Sequence, residues 1–211
     1  MARANKLEIN VSSYPSADDY AFSLEPARLS KYLKRDEPLL RTIASGKVVR
    51  RKGSHYAHFA NGFFAYIYKV STASGTYAIR CPRIQRHPTS AIRYRSLSDF
   101  LRHSNPPSYL VEADQFDKAL FVSVGSQGGW FPVQVMAWIA GKTLLEVVSE
   151  KVRANDQPAL ARLAEAWENL LIEMKEDGVV HGDLHPDNVI VGVDNTLRLV
   201  DYDTIDFPSI C

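Results

Sequence analysis

The chain has 211 residues, of which 45% are apolar, and its formal net charge is +1. The apolar fraction suffices for one sizeable core or two smaller lobes. The nearly balanced charge excludes a global electrostatic field that would attract nucleic acid or membranes. No apolar run approaches the ~20 residues of a membrane span and Cys81 and Cys211 form no paired framework, so we expect a cytoplasmic protein with reduced thiols and with neither a nucleic-acid nor a membrane partner.

Residues 1–50 carry no repeat and no catalytic signature, and prolines interrupt them. Within this segment, Pro26–Leu33 has apolar side chains on one helical face and predicts a short amphipathic helix. We interpret residues 1–50 as an N-terminal extension that is either packed on the next lobe or partly disordered. The basic run at 47–52 is more typical of a solvated linker than of a binding patch.

A β-hairpin is predicted between residues 56 and 80. The small residues within Phe59–Ala65 indicate a turn, and the runs Tyr66–Val70 and Tyr77–Arg80 are rich in residues that favour strands. The next segment, Thr89–His103, has the apolar spacing and the N-terminal Thr and Ser of a helix.

Further strands are predicted before residue 140. Tyr109–Val111 and Ala119–Val122 indicate a strand pair, Gln127–Gly129 indicates a turn, and Trp130–Met136 indicates a strand. Thr143 and Glu146 then form the capping-box pattern that opens a helix.

The strongest predicted helix spans Asp156–Asp177. Asp156 is its expected N-cap and Gly178 its expected end. Its apolar side chains recur at helical spacing along one face; they are Leu160, Leu163, Trp167, Leu170, Leu171 and Met174.

Polar residues with a characteristic spacing follow this helix. The stretch 181–188 reads His-Gly-Asp-Leu-His-Pro-Asp-Asn, and two short apolar runs separated by a tight turn lead from it to Asp201. Two paired strands return the chain to its starting edge, so we expect Asp183, Asn188 and Asp201 to converge. A carboxylate that orients a hydroxyl, with an amide and a carboxylate oxygen for a divalent cation, is what phosphoryl transfer requires.

These residues resemble those of the protein-kinase-like superfamily. The stretch 181–188 is similar to the H-x-D-x-x-x-x-N catalytic loop, and Asp201-Tyr202-Asp203 is similar to D-F-G. The chain as a whole looks most like a bacterial Ser/Thr-kinase-like group. The resemblance implies an α+β fold with two lobes: an antiparallel N-lobe sheet with one helix at 51–140, and an incomplete, mostly helical C-lobe at 141–211.

The resemblance also implies roles at the loop. Asp183 corresponds to the catalytic base, and Asn188 and Asp201 correspond to the ligands of Mg²⁺. His185 stands where the superfamily has a lysine that contacts the γ-phosphate of ATP, and we count it with the catalytic residues.

An ATP site is implied upstream as well. The turn at 59–65 corresponds to the glycine-rich phosphate loop, Met136 to the gatekeeper, and the Ala137 carbonyl and Ile139 amide to the hinge that faces adenine. The residues expected to bind the nucleotide are Ala60, Asn61, Gly62, Ala65, Ala78, Arg80, Met136, Ala137, Ile139 and Ile190.

Arg80 is the most serious departure from the superfamily pattern, because a lysine normally holds the phosphates there. A longer base is compensated by a shorter acid if Asp99, on the predicted helix, replaces the usual glutamate. We therefore expect an Arg80–Asp99 ion pair that clamps the phosphates. Arginine is a planar fork and not a compact point charge, so the exchange is not conservative.

Three functions remain open from the sequence. The first is phosphoryl transfer from ATP to a protein Ser or Thr hydroxyl, with a protein substrate or regulatory partner. The second is a catalytically inactive pseudokinase that binds nucleotide or acts as a scaffold, which Arg80 and Asp203 favour. The third is a small-molecule phosphotransferase of the aminoglycoside-kinase type, which the form of the 181–188 loop also resembles. Because no activation segment follows Asp203, we expect the N-terminal extension, a partner or a missing C-terminal segment to cover the lower lobe.

Overall fold

The structure is a computed structural model with an α+β fold. It describes residues 14–50, 57, 59–61, 64–84, 88–103 and 106–207. The chain divides into two compact units, the first comprising 1–87 and 114–138, and the second 88–113 and 139–211. The predicted boundaries at residues 50 and 140 stay predictions; the helix at 88–103 belongs to the second unit.

The elements follow one another in this order along the chain. The helices are α1 (Ala17–Ser23), α2 (Pro26–Tyr32), α3 (Pro38–Ala44), α4 (Pro88–His103), α5 (Leu144–Arg153) and α6 (Gln157–Glu176). The strands are β1 (Lys47–Val48), β2 (Phe59–Asn61), β3 (Ala65–Thr72), β4 (Gly75–Pro82), β5 (Ala113–Val124), β6 (Gln127–Ala137), β7 (Gly141–Thr143), β8 (Val189–Gly192) and β9 (Leu197–Leu199). Among the described residues, no helix combines the length and the apolar character needed to cross a membrane.

The first unit is built on a sheet with the strand order β1-β3-β4-β6-β5, and β2 also pairs with β3. The register sets Ile67 opposite Arg80 and Arg80 opposite Gln134. Because side chains alternate between the faces of a sheet, Ala65, Ala78, Arg80 and Met136 share one face. Tyr68, Val70, Ile79 and Cys81 lie on the other.

The helices α1 to α3 cover that second face. Their fully buried side chains Tyr20, Leu29 and Ile43 form one apolar core with the sheet, in which Cys81 is a free thiol. The Tyr20 hydroxyl donates to the Pro82 carbonyl at 2.8 Å, so that the buried ring has its polar group satisfied. Of the two alternatives for the N-terminal extension, packing on the sheet is the one that residues 14–50 adopt.

Local sequence explains where these short helices begin. Ser16 caps α1 through a capping box with Asp19, and Pro26 and Pro38 occupy the first turns of α2 and α3. Proline is suited to this position because the first helical N–H groups have no partner within the helix. The predicted helix at Pro26–Leu33 is confirmed.

The second unit combines α4, α5 and α6 with the antiparallel sheet β7-β8-β9. Asp156 caps α6, as predicted, by accepting from the Ala159 N–H. The apolar face of α6 is only partly buried: Leu170 and Met174 are buried, whereas Leu171 is exposed. The predicted cover for this face, a partner or a further segment, stays a prediction.

Three local predictions are wrong. Phe59–Asn61 is a strand that pairs with β3 and not part of a turn, and Gly62 lies outside the described residues. Gln127–Gly129 belongs to β6, and the turn is formed instead by Gly125, which has φ 59°. Tyr109–Val111 is not a strand paired with β5; the Tyr109 carbonyl accepts from Leu199 N–H at 2.8 Å. The basic run at 47–52 begins in β1, and its residues 51 and 52 lie outside the described residues.

The helical cover should contribute much of the stability of the first unit. We expect Ile43→Ala to lower the free energy of unfolding by about 2–5 kcal/mol, because the substitution leaves a cavity in a packed core. Urea unfolding followed by circular dichroism measures this. The matched control is Ile92→Ala on α4, where the isoleucine is 63% exposed and the change should be about 0.5 kcal/mol or less. Equal effects at the two positions would contradict the packing described.

The cap of α6 predicts a pH dependence. Hydrogen bonds from Lys151 and from the Ala159 N–H hold the pKa of Asp156 below its ordinary value of 3.8. A lowered folded-state pKa contributes stability that is present above the ordinary pKa and is lost as the pH falls through the lowered one. We therefore expect Asp156→Asn, which keeps an oxygen for the cap but no charge, to melt below the wild type at pH 7, with the difference vanishing in strong acid. A difference that is independent of pH would contradict this assignment.

Candidate active site

The polar loop at 181–188 is positioned by a hairpin. Strands β8 and β9 pair in antiparallel register with Val189 opposite Leu199, and Val200 N–H donates to the Asn188 carbonyl at 3.0 Å. Asp201 therefore directly follows Val200, the residue that is hydrogen-bonded to Asn188. The hairpin predicted from the two apolar runs is confirmed, and it brings the chain around Asp201 back to the end of the loop.

Asn188 links the two predicted ends of the loop. Its side chain is buried, and Nδ2 donates to the Asp183 carbonyl at 2.9 Å and to Asp183 Oδ2 at 3.3 Å. Since the amide nitrogen is turned towards Asp183, the amide oxygen is the atom that would face a cation. The backbone of Asn188 is fixed as well, because its N–H donates to the His185 carbonyl at 2.9 Å.

Asp183 presents an accessible carboxylate. Its side chain is 62% exposed, and His185 Nε2 lies 3.8 Å from its Oδ2. His185 Nδ1 accepts from the Asp187 N–H at 3.3 Å, so a neutral His185 carries its proton on Nε2, on the side of Asp183. The loop thus offers one carboxylate to a hydroxyl substrate, with an imidazole N–H beside it.

Hydrogen bonds join the loop at 181–188 to the segment after Asp201, and we call this set of bonds the clasp. Val180 and Asp206 exchange backbone hydrogen bonds at 2.8 and 2.7 Å, and Thr204 Oγ1 donates to the His181 carbonyl at 3.0 Å. The buried His181 ring donates from Nε2 to the Val200 carbonyl at 2.8 Å. Neither His181 nor Thr204 has a role predicted from the sequence, yet both fix the geometry of the loop.

Gly182 is required by this close approach. It has φ 77°, and a Cβ at this position would lie 2.5 Å from the Thr204 carbonyl oxygen. Asp201 has φ 63° and ψ 71°, which places a non-glycine residue in the left-handed region. Such a conformation persists only where surrounding contacts enforce it, and it is found often at functional sites.

The chemistry of the loop suits a hard cation. Among the residues that the structure describes, no group of three or more His, Cys, Asp and Glu side chains could hold a metal ion by itself. Mg²⁺ commonly takes only one or two protein ligands and fills its other positions with water and phosphate oxygens. One amide oxygen from Asn188 and one carboxylate from Asp201 fit that pattern.

In the first unit, the residues predicted to bind nucleotide that share a sheet face are Ala65, Ala78, Arg80 and Met136. Arg80 is only 6% exposed, and Gln134 stands opposite it in the register, with an Nε2 that has no hydrogen-bond partner among the described residues. Sequence reasoning missed Gln134, since a glutamine within an apolar strand carries no motif. On the same face, Lys69 lies over the Trp138 ring at 4.5 Å.

The remaining predicted residues keep their roles as predictions. Ala60 and Asn61 lie in β2, Ala137 ends β6, and Ile190 lies in β8. Ile139 belongs to the second unit. The expected Arg80–Asp99 ion pair joins residues of different units and stays a prediction, as do the assignments of Asp183, His185, Asn188 and Asp201.

Comparison with known proteins bears on the second unit. The family model described as APH, phosphotransferase enzyme family, matches residues 145–207, which run from α5 to the segment after Asp201. No curated protein matches the chain. The match supports the resemblance to the protein-kinase-like superfamily and suggests kinase-like phosphoryl transfer.

Gly182→Ala tests the clasp between the loop and the segment after Asp201. Both a positive φ and a clash with Thr204 oppose a methyl group, so we expect a loss of more than the ~1–2 kcal/mol that a left-handed alanine costs alone. Hydrogen exchange should rise at residues 181–188 and 201–206. The matched control is Gly125→Ala, where φ is 59° but a Cβ would meet nothing within 4 Å. Equal destabilisation by the two variants would show that the close approach to Thr204 has no energetic effect.

Proposed function

We propose that this chain is an ATP- and Mg²⁺-dependent phosphotransferase that transfers a phosphoryl group to a hydroxyl of a protein Ser or Thr side chain. The observation that carries the proposal is the geometry of the loop. Asn188 donates to Asp183, and its backbone carbonyl accepts from the residue before the left-handed Asp201. These bonds join Asp183, Asn188 and the chain that leads to Asp201 at one end of the β8–β9 hairpin, which supports their proposed roles as base and Mg²⁺ ligands.

The residues have separate tasks in this mechanism. The exposed carboxylate of Asp183 accepts the hydroxyl hydrogen bond and takes the proton as the new oxygen–phosphorus bond forms and the bond from the γ-phosphorus to the bridging oxygen of ATP breaks. Asn188 and Asp201 hold Mg²⁺, which supplies charge neutralisation to the phosphate oxygens. His185, whose Nε2 lies 3.8 Å from Asp183, supplies an N–H to the same region.

The first unit supplies charge and an adenine surface in this proposal. Arg80, buried on the face that also carries Ala78 and Met136, would bind the α- and β-phosphates in place of the usual lysine, with Asp99 as its acid. Opposite Arg80 in the register, the buried Gln134 has an Nε2 without a hydrogen-bond partner among the described residues, which supports a role of this face in binding a polar ligand.

A second candidate is a phosphotransferase for small-molecule hydroxyls. It is favoured by the match of residues 145–207 to the phosphotransferase enzyme family. The two candidates share Asp183, Asn188 and Asp201 and differ only in the acceptor. The third candidate is a catalytically inactive module that binds nucleotide. Binding of MgATP without phosphoryl transfer would identify it.

Thermal melting with and without MgATP is the first test. Ligand at ~100 times its dissociation constant adds about 2.7 kcal/mol, so the melting temperature should rise by several degrees at ~2–4 °C per kcal/mol. Asp201→Asn should remove most of the Mg²⁺-dependent part of the rise. The matched control is Asp194→Asn, in the turn of the same hairpin, where Asp194 bonds to Thr196 and pairs with Arg198. An unchanged wild-type melting temperature at millimolar MgATP would overturn the proposal.

Asp183→Asn then separates catalysis from binding. We expect phosphoryl transfer to fall by about 10²–10⁴-fold, because a positioned general base contributes that much, while the melting shift with MgATP remains. Transfer of ³²P from ATP to protein and to small alcohols measures both acceptor classes. Labelling of small alcohols alone would favour the second candidate, and a melting shift with no transfer to either class would identify the inactive module.

A further inference from the structure

The aromatic residue after Asp201 carries a hydroxyl group in a buried position. Tyr202 is 1% exposed; its hydroxyl accepts from the Val111 N–H at 2.7 Å and donates to the Leu199 carbonyl at 2.8 Å. A phenol has one donor, and here both its donor and an acceptor position are used. The D-F-G pattern that this segment resembles has a phenylalanine in this place, which could make neither bond.

The Val111 N–H and the Leu199 carbonyl, which bind the Tyr202 hydroxyl, belong to segments that other hydrogen bonds also hold in place. Leu199 ends β9, and its N–H donates to the Tyr109 carbonyl at 2.8 Å. The Tyr109 hydroxyl in turn donates to Asp177 Oδ2 at 2.9 Å, at the end of α6. The Tyr202 side chain is therefore bonded to two segments, β9 and residues 109–111, which are themselves joined by a hydrogen bond. We call these two segments together the platform.

This anchoring bears directly on Asp201. The left-handed backbone of Asp201, with φ 63° and ψ 71°, is unfavourable for a residue with a Cβ and relaxes unless both neighbours are held. On one side, the Val200 carbonyl accepts from His181. On the other, Tyr202 is held by its hydroxyl and the Asp203 carbonyl accepts from Arg93 Nη1 at 3.0 Å.

The aromatic ring alone would hold this position less firmly. The rings of Tyr202 and His181 are 6.3 Å apart in an edge-on arrangement, a contact that a phenylalanine could keep. Removing the hydroxyl leaves the buried Val111 N–H and Leu199 carbonyl without this partner, and buried backbone groups in folded proteins are almost always paired. Without the hydroxyl, we expect the backbone at residues 201–204 to rearrange. This rearrangement would move the Asp201 carboxylate.

We propose that the Tyr202 hydroxyl is a positioning group, which holds Asp201 in its left-handed conformation before any nucleotide binds. Its effect on Mg²⁺ and phosphoryl transfer rests on the function proposed above. Its effect on the backbone at 201–204 does not, and the two are measured separately.

Tyr202→Phe tests the proposal. In the protein without nucleotide, hydrogen exchange should rise about tenfold or more at the Val111 amide and at residues 201–204, the change expected when a buried bond is lost. The Mg²⁺ concentration for half-maximal melting shift with ATP, and for half-maximal transfer, should rise about tenfold. A group with only a structural role would lower the melting temperature and leave this Mg²⁺ dependence unchanged.

The matched control is Tyr20→Phe, which removes another fully buried tyrosine hydroxyl, bonded to the Pro82 carbonyl in the first unit. It should leave the exchange at 201–204 and the Mg²⁺ dependence as in the wild type. Unchanged exchange in Tyr202→Phe, or equal Mg²⁺ shifts in the two variants, overturns the proposal. If the wild type neither binds MgATP nor turns it over, the proposed function fails, while the exchange at 201–204 still decides this inference.

Should Tyr202→Phe not fold, Tyr109→Phe replaces it. This variant loses the bond to Asp177 and loosens the platform on which the Tyr202 hydroxyl rests. We expect exchange to rise at residues 109–111 and 201–204 and the Mg²⁺ dependence to shift in the same direction by a smaller factor. No change at 201–204 in a folded Tyr109→Phe protein overturns the proposal as well.

Discussion

The hydrogen bonds that clasp the 181–188 loop to the segment after β9 are the constraint on which the rest of the second unit depends. The exchange of backbone bonds between Val180 and Asp206 and the bond from Thr204 to the His181 carbonyl bring the backbones so close that only a glycine fits at 182. With the loop so held, Asn188 can bridge Asp183 and the hairpin. Backbone pairing thus sets the frame in which the polar side chains of the loop are positioned.

In the first unit, the two faces of the sheet both carry buried residues but differ in the character of their side chains. Helices α1 to α3 pack on the face that carries Tyr68, Val70 and Ile79. The opposite face combines small and apolar side chains, such as Ala78 and Met136, with Arg80 and Gln134. The buried Gln134 Nε2 has no hydrogen-bond partner among the described residues, which is consistent with the binding role proposed for this face.

Much of this fold could be predicted from the sequence where the signals are local. The Asp156 cap and the apolar period of α6, and the two short β-branched runs of the β8–β9 hairpin, are such signals. Predictions failed where pairing is decided by distant residues. The glycines after Gln127 suggested a turn, but Gly128 lies within β6 because the Phe121 ring occupies the space of its missing Cβ, 2.5 Å from Cζ. Strand β7 has three residues and exists only through its pairing with β8.

The candidate site shows the same division. The spacing of Asp183, Asn188 and Asp201 could be read from the chain, because a hairpin of that length returns to its start. The left-handed backbone at Asp201 and the partners of the Tyr202 hydroxyl could not, since Val111 lies 91 residues away in sequence. Arg80 illustrates an intermediate case: its face follows from strand alternation, whereas its burial depends on the packing around it.

The contact between Leu33 and Leu120 has a consequence for how the molecule is made. Strand β5 ends the sheet on one side, and the chain at Leu33 and Lys34 forms a bridge to Leu120 and a backbone bond to Ala119. An uncovered border strand is a template for adhesion between molecules. Because α1 to α3 precede every strand of this sheet in the chain, the segment that covers part of the border strand β5 is synthesised before β5 itself.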